Sequence, residues 1–173
     1  ITPAAWRDRA RTASGWLLMV RPLLFRTSRD LLHRPLKDFV PRAREDTTPL
    51  EWSPEAQVVE VLQSLLYARR SSRETVLAVP RLVVGITCWD ETVPANDPRK
   101  PADELRQLTP MLANYLAGNW RPEAVDVVGL SSLGKALRPD ADDDEFIDQG
   151  PHRQGFVVLP DGTRSSDLTW PLI

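Results

Sequence analysis

The segment RLVVGITCWDE, residues Arg81–Glu91, indicates the class of fold. Its first half is apolar and rich in β-branched residues, whereas its second half is polar. This change is typical of a buried parallel strand that carries functional groups at its carboxyl end. We therefore predict a strand over Arg81–Asp90. Because parallel α/β sheets bind ligands beyond the carboxyl ends of their strands, the chemistry is expected at Thr87–Asp90.

Two shorter apolar runs predict further strands of the same sheet. Trp16–Val20 (WLLMV) is continuous and stops at Arg21, as a central strand does. Ala124–Leu130 (AVDVVGL) is the other strand, and it leads into a polar turn at 131–134. Two of the three predicted strands therefore end in polar turns.

Two helices are predicted between these strands. Ser53 is suited to cap the first helix, which begins with Pro54 and should run to about Arg70. Asp103–Asn119 predicts the second helix, although Pro110 should kink it or shift its start. The alternation of strands and helices predicts an α/β fold with right-handed crossovers, namely three layers around a mostly parallel sheet.

The two ends of the chain follow other patterns. Phe25–Val40 predicts either a short helix or an irregular connection, because Pro35 interrupts its helical spacing. The turn at 160–163 (PDGT) lies between Gly155–Leu159 and Ser166–Leu172 and predicts a C-terminal β-hairpin. Ahead of the first strand, a flexible basic arm is predicted, with arginines at positions 7, 9 and 11.

The composition and the net charge indicate which classes of protein and partner the sequence fits. The 173 residues are 42% hydrophobic and 27% charged, which is ordinary for one soluble domain. The net charge of −2 offers no general attraction for nucleic acid or for an anionic membrane. Residues 1–44 are basic and residues 140–148 are acidic. We interpret both segments as solvated faces.

The cellular location is inferred from two features. The single cysteine, Cys88, excludes an internal disulfide and fits a reducing cytoplasm. The apolar run Gly15–Val20 falls far short of the ~20 residues that a membrane-spanning helix needs. Because the first residue is Ile1 rather than methionine, we expect part of the protein to be missing upstream.

The polar turns that follow the second and third strands resemble the two base-binding motifs of P-loop GTPases. Thr87-Cys88-Trp89-Asp90 is similar to the guanine-specificity motif, commonly Asn or Thr, then Lys, any residue, and Asp. Some forty residues later, Ser131-Ser132-Leu133 is similar to the Ser-Ala-Lys motif that completes the base pocket. The ordered pair of motifs, each closing an apolar strand, is a more specific signal than either alone.

The chemistry of guanine explains why this site needs a carboxylate. Guanine presents two donors on one edge, N1–H and the N2 amine, and an ionised carboxylate such as Asp90 accepts both. Adenine has an acceptor at N1 and no amine at position 2, so the same carboxylate would remain partly unsatisfied, at a cost on the order of several kcal/mol. In the alternative interpretation, Asp90 and Glu91 bind no base and are solvated or capping side chains of a loop that follows a strand.

The resemblance implies roles for the remaining motif residues. The backbone N–H of Ser132 would donate to guanine O6, and the Ser131 hydroxyl would orient Asp90. Thr87 would tie the two loops together, Leu133 would complete the second motif, and Trp89 would pack away from the base. Cys88 departs from the family, because a thiol provides neither the stem nor the charge of lysine.

The phosphate-binding motif Gly-x-x-x-x-Gly-Lys-Ser/Thr does not occur in this sequence, so hydrolysis cannot be assigned to it. The chain is therefore interpreted as one incomplete domain over 1–173, with a nucleotide-binding core at 13–134. Residues 135–173 would form an acidic loop and a hairpin extension. Mg²⁺ is expected only together with the missing N-terminal half.

The narrower resemblance is to bacterial double-GTPase proteins predicted in multi-gene conflict or signalling systems. It is carried by ASGWLLMVRP, LVVGITCWDE, VVGLSSLG and FVVLPDGTRSSDLTWPL, although Arg21 stands where the first strand often ends in Asp. It implies a GTP- and GDP-binding regulatory switch that acts with protein partners. The alternative is a pseudo-GTPase, an interaction scaffold without nucleotide.

Two other groups of residues were weighed as metal sites. The acidic run lacks the glycine-punctuated spacing of a calcium loop, so a solvated loop is preferred. His33 and His152 have no partner at a recognisable spacing, and neither is assigned a role. The run consists of Asp140, Asp142, Asp143, Asp144 and Glu145.

Overall fold

The computed structural model describes residues 4–25, 53–69, 76–94, 97–135 and 154–172. Its centre is an open five-stranded sheet in which the strands are arranged in chain order. The first three strands are parallel, and the last two are antiparallel to their neighbours. The predicted α/β class with a mostly parallel sheet is therefore confirmed. The strands are β1 (Gly15–Val20), β2 (Arg81–Thr87), β3 (Val125–Ser131), β4 (Phe156–Val158) and β5 (Arg164–Ser165).

Helices connect the parallel strands, as the alternating pattern predicted. Two 3-10 turns, Pro122–Ala124 and Trp170–Leu172, precede β3 and follow β5. In the part of the chain that is described, no helix is both long enough and apolar enough to cross a membrane. The helices are α1 (Ala4–Thr12), α2 (Pro22–Phe25), α3 (Pro54–Arg69), α4 (Trp89–Thr92), α5 (Pro101–Leu108) and α6 (Pro110–Asn119).

The main cluster of buried apolar side chains lies on one face of the sheet. Leu82, Val84 and Ile86 alternate along β2 and share a buried cluster with side chains of α3, α5 and α6. On β1, the side chains of the opposite face are solvent-exposed: Leu17 is 42% exposed and Met19 is 60% exposed. Alternate residues of a strand point to opposite faces, so the burial pattern identifies which face of β1 is packed.

The predicted strand over Arg81–Asp90 was too long at its carboxyl end. β2 ends at Thr87 because Cys88 adopts a left-handed conformation, with φ 54° and ψ 45°. Helix α4 then begins at Trp89. A left-handed residue cannot continue a strand, and cysteine gives little sequence signal for it.

The predicted helix over Asp103–Asn119 is two helices. Thr109 separates them with an extended φ of −135°, and Pro110 takes the first position of α6, where a missing N–H costs nothing. Glu55 of α3 is buried, and its Oε1 accepts a hydrogen bond of 2.8 Å from the Leu112 N–H in the first turn of α6. This contact satisfies a backbone donor that the break would otherwise leave open.

The flexible basic arm was a wrong prediction, because these residues form α1. The helix packs against α3, and Arg11 Nε donates to the Ala68 carbonyl at 2.8 Å. Arg69 Nη1 donates to the carbonyls of Ala10, Arg11 and Ala13 at the carboxyl end of α1. An arginine placed there satisfies carbonyls that have no partner within the helix.

The C-terminal hairpin is present, but its second arm is shorter than predicted. β4 and β5 pair around the turn, and β5 contains only Arg164–Ser165. Trp170–Leu172, predicted as part of the second arm, forms a 3-10 turn instead. Of the segment Phe25–Val40, all residues after Phe25 lie outside the described ranges.

Candidate functional site

The carboxyl ends of the three parallel strands lie side by side. Val20 pairs with Ile86 at the end of β1, and Thr87 pairs with Leu130 near the end of β3. The turn after β2 and the turn after β3 are therefore neighbours at one edge of the sheet. This edge is where an open parallel sheet binds its ligands.

The turn after β2 is held by backbone and hydroxyl contacts. Glu91 N–H donates to the Cys88 carbonyl at 3.0 Å, and the Thr92 hydroxyl donates to the same carbonyl at 3.1 Å. The Thr87 hydroxyl donates to the Val20 carbonyl at 3.1 Å. Thr87 thus ties β2 to β1, whereas the resemblance implied a tie to the turn after β3.

Trp89 anchors this turn to the core. It is 4% exposed, and its ring lies directly over Gly129 of β3. A Cβ at position 129 would lie 2.4 Å from Trp89 Cδ2, so only glycine leaves room for the ring. The packing role expected for Trp89 agrees with this arrangement, which holds α4 against β3.

Asp90 follows the anchored tryptophan and is half-buried. Among the described residues, its carboxylate forms no hydrogen bond and no ion pair. Asp90 borders a cavity of about 360 Å³ that Gly134 and Lys135, after β3, also line. Asp90 and the residues after β3 thus share one cavity, and no hydrogen bond or salt bridge from a described residue satisfies the acceptors of the carboxylate.

The turn after β3 is closed by its own serine. Ser131 is fully buried, and its Oγ accepts a hydrogen bond of 2.8 Å from the Gly134 N–H. The resemblance implied that this hydroxyl orients Asp90, whereas the observed contact shapes the turn itself. Ser132 is exposed and Leu133 is half-buried.

Cys88 provides no positive charge at this edge. Burial raises the pKa of its thiol above the ordinary value, and the nearby Arg21 guanidinium opposes the shift only in part. The thiol therefore stays neutral near pH 7. The positive charge beside this turn belongs to Arg21, whose Nη2 lies 2.7 Å from Glu91 Oε2.

The sequence interpretation missed a second group that borders the cavity. The Arg164 guanidinium lies 3.5 Å from the centroid of the Phe156 ring, and both residues line the cavity beside Asp90. This contact has the geometry of a cation–π interaction. The turn signal at 160–163 was the available clue, but Arg164 lies between this turn and the predicted second arm. In the structure, Phe156 and Arg164 lie on the neighbouring strands β4 and β5.

The candidate metal ligands of the sequence are not among the residues that the structure describes. His33, His152 and the acidic run at 140–148 lie outside the described residues. Within the ranges that are described, no group of three or more His, Cys, Asp or Glu side chains is arranged to hold a metal ion.

The open, mostly parallel sheet and the neighbouring turns at its carboxyl edge define an α/β domain that is compatible with a partial GTPase-like fold. Comparison with known families agrees with this class. The model of the family described as Double-GTPase 1 matches residues 2–173, and the chain belongs to this family. Neither a curated protein nor a solved structure matched the chain.

Proposed function

We propose that the turns at 87–90 and 131–133 bind the base of a guanine nucleotide, with GTP and GDP as the physiological ligands. The observation that carries the proposal is the half-buried Asp90 carboxylate, which has no hydrogen-bond or salt-bridge partner among the described residues and borders a cavity. A carboxylate in this state accepts two donors from one ligand edge, and guanine offers that pair.

Ser132 completes the base contacts in this proposal. Its backbone N–H would donate to guanine O6, while Ser131 and Gly134 hold the turn that presents it. Thr87, Cys88 and Leu133 form the rest of the site, with Thr87 joining it to β1. The nucleotide-binding core would comprise residues 13–134, with 135–173 as an extension of the same domain.

The biological role that we propose is a regulatory switch in a bacterial signalling or conflict system. Such a switch would act in the cytoplasm and signal to a protein partner. Membership of the Double-GTPase 1 family supports the GTPase-like part of this role. Hydrolysis is not assigned to these residues, because they contain no phosphate-binding loop. Mg²⁺ would be held only together with such a loop.

Equilibrium titration of the protein with GTP and ATP tests the proposal. We expect GTP to bind at least about tenfold more tightly, because adenine leaves the Asp90 carboxylate partly unsatisfied. Competition against a fluorescent guanine nucleotide gives both affinities in one assay. Equal affinity for the two nucleotides would remove the guanine assignment.

The second candidate is a pseudo-GTPase scaffold that binds a protein through this fold without nucleotide. Neutral Cys88 favours it, as does the exposed apolar face of β1. A cavity of about 610 Å³ lies on that face, lined in part by Leu17, Val83 and Trp170. The same titration separates the candidates, because a scaffold of this kind would bind neither GTP nor ATP.

A further inference from the structure

An ion pair joins the carboxyl end of β1 to the turn that carries Asp90. Arg21 directly follows β1, and its Nη2 lies 2.7 Å from Oε2 of Glu91, the residue after Asp90. The side chains are 42% and 33% exposed, so a ligand at this edge reaches both. The guanidinium is therefore an accessible cation that an acidic neighbour already holds.

The orientation of a bound guanine follows from the two turns. In the proposed site, O6 faces the turn after β3 and the N2 amine faces Asp90, after β2. The O6-to-N2 direction therefore runs from β3 toward β2. The ribose is attached at N9, on the edge of the base opposite N1, and the glycosidic bond leans toward the side of N2 rather than that of O6. Because β1 is the next strand on the N2 side, we expect the ribose and its phosphates to leave the base on the side where Arg21 lies.

We propose that Arg21 binds a phosphate group of the nucleotide and leaves Glu91 to do so. This inference rests on the proposed guanine site. A guanidinium forms paired hydrogen bonds with phosphate oxygens, which carry more charge than one carboxylate. Glu91 also raises the pKa of Arg21, and the group remains protonated with either partner. The acidic neighbour thus competes with the nucleotide for the same cation.

Substitutions at the two residues should have opposite effects. The quantity to measure is the phosphate increment, defined as the Kd of guanosine divided by the Kd of GDP. Arg21→Ala should lower this ratio by about tenfold, because it removes a charged contact to phosphate. Glu91→Gln should raise it about twofold or more, because a neutral amide holds Arg21 less strongly. Glu91→Gln also keeps a hydrogen-bond partner for Arg21, so it preserves the local structure.

The chain contains a matched control at the other edge of the sheet. Arg81 Nη2 and Asp126 Oδ2 are 3.3 Å apart and join the amino-terminal parts of β2 and β3. Arg81→Ala removes the same charge from the protein but lies far from the carboxyl edge. It should leave the phosphate increment unchanged, which separates a local contact from the effect of net charge.

The outcomes distinguish a failure of the proposed phosphate contact from a failure of the proposed guanine site. Opposite shifts for Arg21→Ala and Glu91→Gln support the phosphate contact. An unchanged ratio, or a loss shared equally by guanosine and GDP in both variants, assigns the ion pair a purely structural role and overturns the inference. If the unmodified protein binds no guanosine, the base site is wrong, and the phosphate contact fails with it.

Discussion

Asp90→Asn should weaken GTP binding by about a hundredfold and make XTP the better ligand. With GTP, the variant keeps a hydrogen bond from N1–H to the amide oxygen but loses the bond from the N2 amine. One lost bond to a charged acceptor is worth about 1.5–3 kcal/mol, and the upper part of this range corresponds to about a hundredfold. Xanthine has a carbonyl where guanine has the N2 amine, so an asparagine amide donates to it and accepts from N1–H. Competition titrations with GTP and XTP, on the unmodified protein and the variant, measure the reversal.

The same chemical change at an exposed aspartate provides the control for Asp90. Asp103 lies on α5 and forms a solvent-exposed pair with Arg106. Asp103→Asn should leave both the GTP affinity and the preference over XTP unchanged. An Asp90→Asn variant that folds and keeps the preference of the unmodified protein would show that Asp90 does not contact the base.

Gly129→Ala should destabilise the protein by about 1–3 kcal/mol and weaken GTP binding as well. The added methyl group would lie within 3 Å of three atoms of the Trp89 ring. Because that ring is buried, it must move together with α4, as in other overpacked cores. Urea denaturation gives the change in the free energy of unfolding, and GTP titration below the transition gives the effect on the Asp90 turn.

Gly118→Ala is the matched control for this substitution. Gly118 lies in α6, and a Cβ there would meet no atom within 4 Å. Alanine should therefore stabilise the helix by about 0.5–1 kcal/mol through reduced backbone entropy. Equal stability of the two alanine variants would contradict the close packing of Trp89 against β3.

The strands β1 and β3 were predictable from the sequence because each is an apolar run. The runs at Trp16–Val20 and Ala124–Leu130 match β1 and β3 within one residue at each end. The run of β3 is largely apolar because a central parallel strand is covered by apolar contacts. β1 was predicted as a central strand but lies at the edge of the described sheet, where one of its faces is exposed. The carboxyl end of β2 was harder to place, since only the left-handed conformation of Cys88 stops it.

Helix α1 could not be predicted, because its stability comes from distant residues. Only Ala10 is buried, so the helix has no broad apolar stripe. Its carboxyl end is satisfied by Arg69, which lies almost sixty residues further along the chain. Such a long-range contact leaves no local sequence pattern.

The candidate site was predictable where it depends on strand ends and not where it depends on tertiary contacts. Asp90 and Ser131 follow apolar runs, so their place at the carboxyl edge could be inferred. Arg21 could not be linked to Glu91 from the sequence, because their contact depends on the order of β1 and β2. The stacking of Arg164 on Phe156 likewise depends on the hairpin register.

Competition between GTP and ITP tests the guanine assignment most directly. ITP differs from GTP only by lacking the N2 amine, so it leaves one oxygen of the Asp90 carboxylate without a donor. We expect ITP to bind about tenfold to a hundredfold more weakly than GTP. Equal affinities for the two nucleotides would contradict the guanine-binding role of Asp90.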